Sequence, residues 1–398
     1  FVRSLGMHRV YNSAFMVLLR DEDNAKYRYL MKNTLEFDPE ILKRYVNFVN
    51  NPDERTAVDQ FGKGDKYFGV TVLMATMPGL PMFGHGQLEG FTERYGMEYQ
   101  RAYWEEQVDQ DLMARHEREI FPLLHRRYLF AEVENFLLFD FYTDGGVKEN
   151  VFAYSNRVGD QRSLIVYNNQ YSDTNGWIRV SAAFSQRTGN GDERIQVQRT
   201  LADGLQLHND ANYYTILRDH ISGLQYIRNS KELCEQGLHV ELGAYNYRVF
   251  LDIYEVQETP GGHYGRIAAQ LGGAGTHSIE HAFKELLLEP LHKPFRAVLN
   301  GENLRKLQQA RLLDIEQPLD VELLDELELK LREFFTQAKL FSGSNGDPVY
   351  VAHDVRLHLE SVLRIPIFET RKIALKAKLR PAKPKDENAD KPKRTLSK

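Results

Sequence analysis

The chain has 398 residues, 42% of them hydrophobic and 27% charged, enough for two or three domains with a substantial core and typical of a globular protein. Its formal net charge of −5 and pI near 6.3 argue against a nucleic-acid partner, which would ask for a basic face. The single cysteine, Cys234, forbids an intrachain disulfide, and no apolar run is long enough to span a bilayer, so a cytoplasmic location with no membrane partner is expected.

In chain order, residues 8–19 (HRVYNSAFMVLL) read as a strand, 23–35 as a helix and 39–44 as a second, short helix. Residues 45–55 (YVNFVNNPDER) and 79–91 (GLPMFGHGQLEGF) are each a short apolar run that turns abruptly into polar and glycine residues. Buried parallel strands do this where they hand side chains to a loop. Between them KGDKYFGVTVLMATMPG is long enough for a helix and apolar on most faces. Parallel strands need such a crossover, so the stretch reads as a βαβ unit, with Asp53 and Glu54 just past the first strand and Glu89 just past the second. In barrels of this kind the chemistry sits at the carboxyl ends of the strands, which places these acids for a site.

The aromatics Phe91, Tyr95, Tyr99, Tyr103 and Trp104 follow, suited either to stacking on sugars or to packing a helix onto the barrel. A helix is predicted over 111–127, interrupted at Pro122. From 136 to 256 the period changes to two, in runs such as FLLFDF, NVFAYSN, RSLIVYNN, WIRVS, RIQVQ, LHVEL and YNYRVFLDIYEV, with Tyr247, Val249, Leu251 and Ile253 on one face. This predicts an antiparallel β-sandwich, and residues 212–236 read as a helical insertion within it. Beyond Pro260 the pattern is helical over 278–288, 303–313 and 319–341, the last with a stripe of Leu323, Leu327, Leu331, Phe334 and Ala338. Residues 380–398 carry almost no apolar side chains and are expected to be disordered.

FVNNPDER resembles the region of the α-amylase superfamily, glycoside hydrolase family 13, in which a strand runs into Asn-His-Asp, and GLPMFGHGQLEG resembles that superfamily's last barrel strand, Gly-x-Pro followed by hydrophobic residues and Gly-x-Glu. The resemblance implies that the chain is the carboxyl-terminal part of such an enzyme. Residues 1–130 would be the end of a (β/α)8 TIM barrel, about strands six to eight, with strands one to five before Phe1. Residues 131–258 would be the β-sandwich domain C with its insertion at 212–236, residues 264–375 a helical extension and 376–398 a tail. Several positions depart from the family pattern. Pro52 stands where a sugar-binding His is usual, Gly84 and His85 replace a usual aromatic pair, and Leu88 occupies the Glu position, leaving Glu89 displaced by one.

Glycosidic cleavage through an oxocarbenium-like state uses a carboxylate nucleophile and a carboxylic acid. The superfamily adds a third carboxylate that holds the sugar hydroxyls, and the position matching it is Asp53, the expected catalytic residue; the plainer alternative is that Asp53 caps a turn. Arg55, His85 and Glu89 are expected to bind substrate, Arg55 by orienting Asp53 through a two-pronged contact, although Glu54, Arg55 and Asp59 could equally be surface charges. The implied function is an α-glucan-acting hydrolase or transglycosylase whose nucleophile and general acid lie on strands outside this chain. α-Glucans or maltooligosaccharides would be the partners, and no cofactor or metal is expected. A non-catalytic carbohydrate-binding or scaffold protein derived from such a barrel is the alternative, favoured by Pro52.

Two other motifs carry weaker signals. His277-Ser278-Ile279-Glu280-His281 has the H-x-x-E-H spacing that puts two histidines on one helical face for zinc, but no third ligand follows. Gly272-Gly273-Ala274-Gly275 before a helix could present N–H groups to an anion, but no strand leads into it and no Walker-type lysine follows. Cys234 reads as a plain helical position, and no G-x-S-x-G elbow occurs.

Overall fold

The computed structural model describes residues 6–96, 100–189 and 193–378; Tyr99 and the tail 380–398 lie outside them. The chain divides into two compact units, Phe1–Phe283 and Lys284–Lys398.

The first unit opens with β1 (Val10–Tyr11), α1 (Ser13–Arg20), α2 (Asn24–Phe37), a 3₁₀ turn (Pro39–Arg44), β2 (Tyr45–Phe48), α3 (Ala57–Phe61), α4 (Asp65–Thr76) and β3 (Leu80–Met82). The strands form a parallel sheet in the order β1-β2-β3, with Tyr11 opposite Val46 and Phe48 opposite Met82. The strand predicted over 8–19 is a correction: only Val10 and Tyr11 are extended, because the side-chain oxygen of Asn12 accepts from the N–H of Phe15 and starts a helix that buries Phe15, Met16, Leu18 and Leu19.

Between β2 and β3, α4 is buried along its whole run from Tyr67 to Thr76, and its Thr71 and Thr76 hydroxyls are satisfied by the carbonyls of Tyr67 and Val72. Its carboxyl end is held by the half-buried Arg127, whose guanidinium donates to the carbonyls of Ala75, Met77 and Gly79. Burial lowers the pKa of Arg127 to about 10, and no carboxylate pairs with it among the described residues. Gly79 has φ +105°, and a Cβ there would lie 2.4 Å from the carbonyl oxygen of Tyr45, so only glycine lets the chain turn tightly into β3. The helix predicted over 111–127 is two pieces, α5 (Gln110–Glu119) and α6 (Phe121–His125), with Pro122 in the first turn of the second.

The rest of the unit is antiparallel: β4 (Leu137–Thr143), β5 (Gly146–Val147), β6 (Val151–Val158), β7 (Gln161–Asn168), β8 (Thr174–Ser181), β9 (Phe184–Arg187), β10 (Arg194–Val197), α7 (Leu201–Leu205), β11 (Tyr213–Asp219), β12 (Gln225–Asn229), α8 (Ser230–Gln236), β13 (Leu238–Leu242), β14 (Tyr247–Gln257) and α9 (His263–Leu271). Nine strands join in one sheet, β12-β11-β14-β7-β6-β4-β8-β13 with β5 on β4, and β9 and β10 pair separately. Hydrogen bonding thus gives one continuous sheet rather than the two facing sheets of the predicted sandwich. The sheet curls, because Leu217, Phe250 and Ile253 near one end share a core with Ile178, Leu238 and Val240 at the other. The opposite face, through Leu138, Phe152, Tyr154, Ile165, Tyr167 and Val249, joins the core of α1, α2 and α4.

Two further corrections follow. The predicted helical insertion at 212–236 is the hairpin β11–β12 and only then a helix, α8, capped by the Asn229 side chain. The aromatic and β-branched residues Tyr213–Ile216 pair with β14 and β12, and that pairing overrides helical readings of the segment. Tyr247, Val249 and Leu251 do share a face, but Ile253 belongs to the other core. The register between β11 and β14 shifts there and Asp252 has φ +52°, a bulge that reverses the alternation.

The second unit contains most of α10 (Ile279–Val298), then α11 (Gly301–Gln309), α12 (Val321–Ser342) and α13 (Pro348–Lys378). Leu323, Leu327 and Leu331 of the predicted stripe are buried, α13 contributes buried Ala352, Leu363 and Ile367, and Arg356 of α13 pairs with Asp325 and Glu328 of α12.

Candidate functional site

The carboxyl ends of β2 and β3 open onto the loops that carry Asp53, Glu54 and Arg55 after β2 and His85 and Glu89 after β3. The first loop is shaped by side chains rather than by its acids. Asn51 Oδ1 accepts from the N–H groups of Asp53 and Glu54, at 2.9 and 3.0 Å, so the turn is capped by Asn51 and not by Asp53. The buried Gln60 clamps the loop from below, donating to the carbonyls of Val49 and Arg55 while accepting from Arg20.

The second loop hangs on a buried relay. Gln87 Oε1 accepts from the N–H of Gly84 and its amide donates to the hydroxyl of Tyr67, which lies 2.7 Å from Nε2 of His116. His116 Nδ1 sits 2.8 Å from the carbonyl of Leu112, so it carries the ring proton and Tyr67 donates to Nε2. Burial lowers the pKa of His116 and pushes the Tyr67 phenol up to about 12, so both are neutral and the relay is fixed near neutral pH.

Asp53 is exposed, and its carboxylate makes no hydrogen bond or ion pair among the described residues. Its carbonyl accepts from Arg94 at 2.5 Å, which ties the loop after β3 to the loop after β2. Arg55 does not orient Asp53, a correction to the expectation; it faces Asp59 at 3.4 Å, one helical turn on. Glu89 is half-buried and held through its backbone, whose carbonyl accepts from the N–H of Asp109 at 2.9 Å. A Cβ at Gly84 would lie 2.5 Å from Oδ1 of the buried Asn50, so Asn50 fills the space that an aromatic at 84 would need.

His85 stacks toward Tyr95, ring centroids 4.7 Å apart, and with Phe91, Glu93 and Trp104 lines a cavity of ≈ 480 Å³. Its walls are held by acids acting on the backbone. Glu93 accepts from the N–H groups of Tyr103 and Trp104, and Glu106 from those of Thr92 and Glu93. Burial would raise the Glu106 carboxyl, but these hydrogen bonds and the Thr92 hydroxyl outweigh it and hold its pKa below the ordinary value. Asp53 and Glu89 do not line this cavity, so the site residues fall into an acid pair at the strand ends and an aromatic cleft beside them.

Sequence reasoning missed Gln87, Tyr67, His116, Arg94 and Asn50. Their roles come from contacts between elements, and only the position of Gln87 inside the glycine-rich run after β3 gave a local signal. Among the described residues no group of three or more His, Cys, Asp or Glu side chains could hold a metal ion. α10 begins at Ile279, so His277 precedes the helix and does not share a helical face with His281. Among the described residues no helix is long and apolar enough to cross a membrane.

No protein-family model and no curated protein matches the chain. Among solved structures, the chain is similar to a debranching enzyme from Nostoc punctiforme (15% identity, 57% of this chain and 39% of that one, TM-score 0.36). It is also similar to an α-amylase from Geobacillus thermoleovorans complexed with acarbose (12%, 54% and 39%, TM-score 0.34). A third is a noncanonic maltogenic α-amylase, AmyB, from Thermotoga neapolitana (14%, 63% and 49%, TM-score 0.34). The chain spans less than half the length of these structures.

Proposed function

We propose that the chain is the carboxyl-terminal part of an α-amylase-type glycoside hydrolase or transglycosylase acting on α-glucans, with Asp53 as its third carboxylate and Arg55, His85 and Glu89 near bound sugar. The observation that carries this reading is that Asp53 and Glu89 follow adjacent parallel strands at the same, carboxyl, end, in loops joined by Arg94 and beside an aromatic cleft. An exposed carboxylate with no protein partner is available to a sugar hydroxyl. His85, Tyr95 and Trp104 offer ring faces of the kind that stack on pyranose rings.

Retaining cleavage needs a nucleophile and a general acid besides such a carboxylate. The described residues supply three parallel strands of the eight in a closed barrel, so those two groups would come from further strands. The test is release of reducing sugar from starch and maltooligosaccharides. The 398-residue chain alone should release none, a longer chain carrying the further strands should turn over, and Asp53→Asn in that longer chain should lose most of the turnover. The substitution keeps size but removes negative charge near a cationic transition state. Turnover by the short chain would overturn the fragment reading, and an unimpaired mutant would overturn the role of Asp53.

Pro52 and the turning of Arg55 toward Asp59 favour a second reading, a carbohydrate-binding or scaffold protein without turnover. Under it the longer chain binds maltooligosaccharide but releases no sugar.

A further inference from the structure

We propose that the mouth of the curled antiparallel sheet binds a small phosphate monoester, with Arg228 and the glycine-rich segment 272–275 as the anion's ligands. This stands apart from the barrel-end reading, which uses none of these residues. The site is a cavity of ≈ 440 Å³, with Leu238 and Phe250 among its apolar lining and Tyr226, Arg228, Arg248 and Gly273 among its polar lining.

The first observation is a cation without an anion. Arg228, on β12, is half-buried and donates Nη1 to the carbonyl of Ile227 and Nη2 to that of Gly273, each at 2.8 Å. Both acceptors are neutral, and no carboxylate lies within ion-pair distance of it among the described residues, Glu232 acting on it only from further off. Glu241, the one carboxylate in the cavity lining, is exposed and makes no ion pair with it. The neighbouring Arg248 is answered by the buried Asp219 at 3.0 Å. A guanidinium carries five N–H donors, so most of those on Arg228 remain for a ligand, and its partial desolvation is offset only when an anion arrives. Burial accordingly lowers its pKa.

The second observation is the backbone beside it. Gly272 and Gly273 are both left-handed, φ +53° and +92°, and a Cβ at Gly275 would lie 2.9 Å from the ring of Tyr226, so glycine is what lets this segment lie flush on β12. The N–H groups of Gly273 and Gly275 make no hydrogen bond within the described residues, whereas those of Ala274 and Thr276 do. Two unpaired backbone N–H groups flanking the bonded Ala274 are donors left for an anion beside the guanidinium. The lysine that a phosphate loop would need is absent from the local sequence, and the structure brings in Arg228 from β12 as the cation.

The cavity is far larger than inorganic phosphate and within the range of small-molecule pockets, and its apolar wall suits the organic body of an ester. The test is calorimetric titration of the 398-residue chain with glucose 6-phosphate, AMP, inorganic phosphate and glucose. One of the two esters should bind at least about tenfold more tightly than inorganic phosphate, and glucose should give no heat. Arg228→Gln should weaken ester binding about tenfold or more, and Arg228→Lys by less, because Lys keeps the charge but loses the fork. If Arg228→Gln does not fold, arginine-selective labelling of the unmodified chain with phenylglyoxal, mapped by peptide mass, should show the ester protecting Arg228 and leaving the exposed Arg305 unchanged. Absence of heat with both esters, equal affinity for ester and inorganic phosphate, or unchanged labelling at Arg228 would each overturn the proposal.

Discussion

The guanidinium of Arg28, on α2, meets the carboxylate of Asp140, on β4, at 2.5 Å, with its own side chain wholly buried. It also donates Nε to Glu149 at 2.8 Å and its Nη groups to the carbonyls of Val151 and Phe139. One buried cation therefore pins a helix of the parallel part onto the antiparallel sheet and makes the two a single unit. Removing one partner of a buried pair is costly because the other is left uncompensated. Lys32, 2.7 Å from Asp140, would still answer part of that charge. Arg28→Met should therefore cost roughly 3 kcal/mol, the low end for such pairs, measured by urea denaturation. A loss below about 1 kcal/mol would show that the pair is matched by its own desolvation.

A second link is steric. Gly69 lies on α4 against the ring of the buried Tyr167 on β7, where a Cβ would come within 2.1 Å of the ring. The ring cannot retreat, because its hydroxyl is bonded to Asn169 and lies near the carbonyl of Lys66. Gly69→Ala should destabilise by about 3 kcal/mol, at the upper end for overpacking. Tyr167→Leu in the same chain should recover part of that loss, since the two residues share one space. Additive losses in the double mutant would show that the clash is not the cause.

What the sequence made legible was whatever announces itself locally. The apolar runs at Tyr45–Phe48 and Leu80–Met82, the buried helix between them and the break at Pro122 all lie where the pattern put them. The errors came where tertiary pairing outweighs local signals. Tyr213–Asp219 becomes a strand because β14 and β12 flank it, and Ile253 changes face because of a bulge that periodicity does not encode. Residues 13–20 were misread although Asn12 is a capping signal, because a run of apolar residues suits strand and helix alike. At the candidate site, Asp53 and Glu89 were visible as acids just past strands, whereas the Gln87–Tyr67–His116 relay joins residues far apart in the chain.

Trp104 is 58% exposed and lines the cleft with His85 and Tyr95. If the cleft holds sugar, Trp104→Ala should weaken maltooligosaccharide binding by about 1 kcal/mol, roughly fivefold, as expected for loss of one aromatic platform, and leave the melting temperature unchanged. The chain has two tryptophans, and the other is Trp177 on β8, so intrinsic fluorescence should change with ligand in the parent chain and not in the variant. Unchanged affinity in the variant would return the aromatics to a packing role.

Stability should fall as the solution is acidified, first through buried histidines and then through carboxylates as well. His116 is fully buried and His220 half-buried, and burial lowers the pKa of each below the ordinary 6.5. A base depressed in this way stays neutral in the native state while the unfolded chain takes up a proton. The native state therefore loses ground as pH falls through the unfolded value of 6.5 and goes on losing it down to the folded pKa values. Asp109 is shifted down by Lys63, and Glu258, which burial would raise, is held down by backbone N–H groups that outweigh it; their contribution is intact above the ordinary values of 3.8 and 4.5 and lost only below them. The urea midpoint should thus be flat from about pH 8 to 7, begin to decline as the pH falls through about 6.5 because of the histidines, and decline further below about pH 4.5 as the carboxylates add to the loss. His116→Gln keeps an acceptor for the Tyr67 hydroxyl but cannot be protonated, so it should shrink the histidine decline to the part that His220 contributes and leave the carboxylate decline unchanged. An unaltered first decline in that variant would show that His116 does not contribute to it.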